Sequence, residues 1–101
     1  MEIAQTEIFT VTPDGRDKIL VLKIGAPQKR NEDEWMCYWE ISGLHENVHA
    51  TVSNDKWHSL MLVIRTIEQL LTYYVEDGGR LYWEKSGEEI AVSDLIPRWA
   101  S

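Results

Sequence analysis

Residues 56–77 constrain the fold of this chain more than any other stretch. Ser53-Asn54-Asp55 is a run of helix N-cap residues, and Gly78-Gly79 is the glycine signal that ends a helix. At roughly 100° per residue, Trp57, Leu60, Met61, Ile64, Ile67, Leu71, Tyr74 and Val75 fall on one broad stripe. A lone helix cannot bury such a stripe, so the rest of the chain must supply a surface for it.

That surface is predicted to be an antiparallel sheet. Residues 2–12 carry Ile, Phe, Val and Thr in strand-like proportion, and Pro13-Asp14-Gly15-Arg16 is a turn signal that leads into a second strand at 18–24. There Leu20, Leu22 and Ile24 share one face and Ile19 and Val21 the other, the pattern of a central strand or of a sheet covered on both faces. Residues 26–33 read as a polar loop. From Glu34 to Ser42, Trp35, Cys37, Trp39 and Ile41 alternate with Glu34, Met36, Tyr38 and Glu40, which makes this the clearest strand. Gly43 marks a turn, and Val48, Ala50 and Val52 form a short fourth strand with His49 and Thr51 turned away. After the helix, Leu81-Tyr82-Trp83 reads as a strand. Ser86-Gly87 is a turn, 90–92 pairs back, and Ser93-Asp94 caps a final turn that Pro97 limits. The expected fold is α+β, with about four to six antiparallel strands packed on one long amphipathic helix in the order ββββ-α-β(β). Its 101 residues suit a single domain, 1–101.

Composition narrows the function classes. Seventeen acidic residues against ten basic ones give a net charge of −7. Nucleic-acid affinity comes mainly from Lys and Arg neutralising phosphates, so nucleic acid is not the expected partner; a basic protein is. No apolar run approaches the roughly 18 residues of a membrane span, and no signal peptide opens the chain. A lone cysteine, Cys37, fits a reducing compartment, and the cytoplasm is the expected location.

No catalytic constellation is visible. His45, His49, His58 and Cys37 lack CxxC or HExxH spacing, and the histidines read as surface residues. Cys37 alternates with Trp35 and Trp39 on a core face, where a thiol is a small apolar group rather than an activated nucleophile. The carboxylates lie in solvated runs, and Gly78-Gly79 ends a helix instead of opening a phosphate-binding one. The chain is therefore expected to be non-catalytic, with no cofactor and no metal.

Three surfaces remain for recognition. Leu62 and Tyr73 stand on the solvent side of the helix among His58, Arg65, Gln69 and Glu76. Glu32, Asp33 and Glu34 open the third strand, and Glu84, Glu88 and Glu89 surround the late turn; such clusters can dock a basic protein. Ile19, Val21, Met36 and Tyr38 on the far sheet face suit face-to-face dimerisation.

The run Trp35-Met36-Cys37-Tyr38-Trp39-Glu40-Ile41-Ser42-Gly43-Leu44, then Asn54-Asp55 opening an apolar helix, then Leu81-Tyr82-Trp83, resembles an uncharacterised family of small bacterial α+β domains. In that family a W-x-C-x-[aromatic]-x-I-x-G-L strand precedes a G-x-D-x-x-Q-A-L helix and a short L-x-W strand. Here Ser53 stands at the glycine position and His58-Ser59 replaces Gln-Ala. The resemblance implies a fold more than a function. The small, acidic, Trp-rich composition is also similar to that of immunity proteins of bacterial toxin systems, which implies an inhibitor that blocks a basic toxin. The alternatives are a self-associating homodimeric domain and, third, a small enzyme or metal-binding protein.

Overall fold

The computed structural model describes residues 2–97. Its elements are β1 (Glu2–Val11), β2 (Asp17–Gly25), β3 (Gln28–Asn31), β4 (Glu34–Ser42), β5 (His45–Ser53), α1 (Lys56–Glu76), β6 (Arg80–Tyr82), β7 (Glu89–Ile90) and α2 (Val92–Leu95). The fold is α+β, with a seven-stranded antiparallel sheet and one long helix. Strands run β3-β4-β2-β1-β6-β7, with β5 on the other side of β4.

Half of the expected loop at 26–33 is instead strand. Ile24 lies opposite Trp39 and Gln28 opposite Met36, so β2 and β3 follow one another along the same edge of β4. The polar side chains of Gln28, Lys29, Arg30 and Asn31 are all exposed, so this segment has no buried face to reveal it by alternation. Its backbone pairing with β4 holds it in place.

One face of the sheet carries the core. Ile8, Leu20, Cys37 and Ile41 from the strands meet Val63 and Leu71 from α1 and Leu81 from β6, all of them fully buried. The helix lies against β4, β5 and β6, and α2 packs on α1. Asp55 caps the helix start, its Oδ1 accepting from the His58 amide at 3.0 Å. At the other end the Gly79 amide donates to the Tyr74 carbonyl and the Gly78 amide to the Val75 carbonyl, a Schellman pair that Gly78 closes with a φ of 109°. A Cβ on Gly79 would lie 2.6 Å from the Tyr74 ring, so this position has room only for hydrogen. The Tyr74 hydroxyl is 2.9 Å from Thr10 Oγ1, whose own proton goes to the Lys18 carbonyl; Tyr74 is therefore the donor. This buried relay ties the end of the helix to the β1–β2 hairpin.

Two expected orientations are corrected. The buried helix face is Ser59, Val63, Ile67, Leu71 and Tyr74, rotated from the expected stripe; Trp57 is 70% exposed and Val75 also faces solvent. Small Ser59 and Val63 let the helix approach the sheet, whereas hydrophobicity alone gives more weight to the larger Trp57. In β5 the facing is reversed: Val48, Ala50 and Val52 point away from the helix, and His49 and Thr51 lie on its side. Trp39 faces the core, and the register pairs it with His49 and Cys37 with Thr51, so His49 and Thr51 must share the core side. The tight turn at Gly43 (φ 97°) and a register shift near Asn47 (φ 78°) set that register.

The late elements also shift. The strand expected at 81–83 is β6, the one at 90–92 shortens to β7, and Val92 opens α2, where Asp94 Oδ2 accepts from the Ala91 amide at 2.8 Å.

Candidate functional site

The two acidic clusters do not come together. Glu32 and Asp33 form the exposed turn between β3 and β4, organised by Asn31, whose Nδ2 donates to Glu34 Oε1 at 2.6 Å and whose Oδ1 accepts from the Asp33 amide. That turn lies at the end of the sheet where β1 begins, since Glu2 pairs with Gly25. Glu84, Glu88 and Glu89 lie beyond β6, which pairs with β1 on the edge away from β2 and β4. In the strand order β2 and β1 lie between the two clusters, so they form separate patches.

The corner at β6, β7 and α2 has the more developed shape. Glu84, Glu88, Glu89 and Asp94, together with Trp83, Gly87 and Ile90, line a concavity of about 540 Å³. The Gly87 amide donates to the Glu84 carbonyl at 3.0 Å, which folds the turn back over its own start. Trp83 is 46% exposed, and Glu89 pairs loosely with Arg80 at 3.6 Å. An open indole face among carboxylates is the setting in which a Lys or Arg side chain gains both a cation–π contact and ion pairing. The sequence reading selected the three glutamates. It missed Trp83 as a surface residue and Asp94 as a fourth carboxylate, because the chain separates them from the turn.

Leu62 and Tyr73 do share the outer helix face, but about 16 Å apart along the axis. Leu62 is half-buried, and the Tyr73 hydroxyl accepts from Gln69 Nε2 at 2.8 Å. They do not join into one apolar patch.

The sheet face away from the helices is broader than expected. To Ile19, Val21, Met36 and Tyr38 the register adds Phe9, Val48, Ala50 and Val52. Ile19 is 48% and Val48 61% exposed, and among the described residues no helix covers this face. Lys23 and Glu40 pair across it at 3.5 Å.

His45 and His49 are half-buried rather than surface residues. Their rings lie 4.3 Å apart and both stack on Trp39, whose Nε1 donates to Thr51 Oγ1 at 3.0 Å. His49 Nε2 is buried without a hydrogen-bond partner. Among the described residues no three His, Cys, Asp or Glu side chains are grouped to hold a metal. Cys37 Sγ donates to the Gly25 carbonyl at 3.2 Å, and burial pushes its thiol pKa up, away from the reactive thiolate. A cleft of about 350 Å³ between the sheet, α1 and α2 is lined mainly by Leu22, Ile24, Ile64, Ile67, Leu95 and Ile96 and holds no ionisable side chain. It offers apolar contact without acid–base groups. No described helix is long and apolar enough to cross a membrane.

No curated protein and no solved structure matches the chain. The family defined as a domain of unknown function, DUF6968, matches residues 5–93, a span that runs from β1 through the start of α2 and takes in the β5 edge and the acidic corner up to but not including Asp94; the chain belongs to that family.

Proposed function

We propose that this chain is a non-catalytic protein-interaction domain that recognises a basic segment of a partner at the β6–β7–α2 corner. The observation that carries the reading is the grouping of four carboxylates around an exposed indole in one concavity. The net charge of −7 adds long-range attraction for a basic partner and speeds its approach. In its concrete form the domain is an immunity-type inhibitor. Its acidic corner would sit over the basic substrate cleft of a toxic nuclease.

The test is capture of partners by tagged protein in the cells that encode it, repeated with paired charge reversals. Support requires a basic protein that binds the wild type, is lost from the Glu84→Lys/Glu88→Lys variant and is kept by Glu32→Lys/Asp33→Lys. Equal retention by both variants removes the acidic corner as the site. Inhibition of the captured protein's nuclease activity would establish the immunity form, and binding without inhibition would leave only the interaction domain.

A further inference from the structure

The far edge of β5 is open among the described residues. β5 bonds to β4 along one side only, and no other described residue hydrogen-bonds to its far edge. Exposed edges are normally protected by brevity, charge, proline or a covering element. Residues 48–53, Val-His-Ala-Thr-Val-Ser, contain no proline and no Lys, Arg, Asp or Glu. The irregularity at Asn47 and the helix cap at Asp55 bound this stretch without blocking it. At the opposite margin β7 has only two residues and carries Glu89, with Glu88 beside it. That edge is protected by both shortness and charge.

We propose that two copies of this chain associate through antiparallel β5–β5 pairing about a two-fold axis at Ala50. The segment is nearly symmetric about that residue. Pairing there sets Val48 opposite Val52 of the second copy on the open face, Ala50 opposite Ala50, and His49 opposite Thr51 on the helix side. Glu46 falls beyond the ladder, opposite neutral Asn54, so no like charges meet. Small Ala50 at the axis leaves room for close approach. Because Tyr38 neighbours Ala50 and Met36 neighbours Val52 on β4, the two open apolar faces merge into one continuous surface across the axis. The pairing closes on itself and stops at two copies. It lies at the margin opposite the acidic corner and does not depend on the partner reading above.

Sedimentation equilibrium of the purified chain, together with cross-linking of an Ala50→Cys variant, tests it. Opposed residues in an antiparallel pair have Cα atoms about 4.5–5.5 Å apart, within disulfide reach. The expected results are a concentration-dependent dimer and reducible cross-linking of A50C under mild oxidation, with no cross-link in the wild type, whose Cys37 is buried. Val48→Lys should weaken the dimer by roughly tenfold or more while leaving the circular dichroism spectrum unchanged. A wild type that stays monomeric up to about millimolar concentration overturns the proposal. So does a dimer that V48K leaves intact and A50C fails to cross-link, which would place the contact on the helix or between stacked sheet faces.

Discussion

The sheet ends in two unlike margins. At β5 a run of uncharged residues, half of them β-branched, presents an open backbone edge. At β7 the edge is two residues long and flanked by carboxylates. The first offers hydrogen bonds that act only at contact and need another strand. The second offers charge that acts across water and needs a cation. The two proposed contacts use different physics at opposite margins of one sheet, so neither needs the other's surface.

The largest expected effect comes from removing what supports the β5 margin. Trp39 stacks on His45 and His49 and donates to Thr51. Trp39→Ala should lower unfolding stability by about 3–5 kcal/mol in urea titration, with hydrogen exchange rising first in β5. A loss under about 1 kcal/mol would mean that the backbone ladder alone holds the strand. At the other margin, Gly79→Ala drives a methyl into the Tyr74 ring and should cost about 1–3 kcal/mol, loosening β6 while β5 exchange stays unchanged. Coupled loosening of both strands would argue that the two margins are one cooperative unit.

Salt separates the margins without mutation. Between about 0.01 and 1 M salt the screening length falls from roughly 30 to 3 Å, so binding of a basic partner should weaken by an order of magnitude or more. The β5 dimer should respond in the opposite sense and tighten with salt, since no ion pair crosses its axis and the −7 charges of the two copies repel each other at low salt. A similar response of both would erase the distinction. The smallest effect is expected at the β1–β2 turn, where Asp14 accepts from the Thr12 hydroxyl and pairs with Arg16 at 3.0 Å. The Thr12 hydrogen bond, ahead of the Arg16 charge, holds the Asp14 carboxyl below its ordinary 3.8. Its stabilising contribution is therefore present above that value and lost as pH falls through the lowered one. Asp14→Asn should lower the melting temperature slightly at pH 6, by an amount that shrinks as the pH falls below 3.8. A difference that persists in acid would assign the effect to packing of the turn.

The legible parts of this structure are those whose signals are local. Asp55 and Gly78-Gly79 bracket α1 because capping is a matter of a few adjacent residues. Trp35, Cys37, Trp39 and Ile41 mark β4 because a strand with one core face alternates. β3 left no such trace, since both its faces are wet and its place comes from pairing with β4. The candidate site was half legible. Glu84, Glu88 and Glu89 stand out as a charged turn, but Trp83 and Asp94 join them only when β7 and α2 fold back.

By itself the sequence determined that there would be one long capped helix on an antiparallel sheet, a strong negative charge and a buried cysteine, because caps, periodicity and charge are properties of neighbouring residues. Tertiary structure alone decided which way β5 faces. Val48, Ala50 and Val52 are apolar enough to be core, yet the Gly43 turn and the inward Trp39 set a register that sends them outward and brings His49 and Thr51 in. Register is settled between strands, and a one-residue change would exchange the faces, so no reading of β5 on its own could place them.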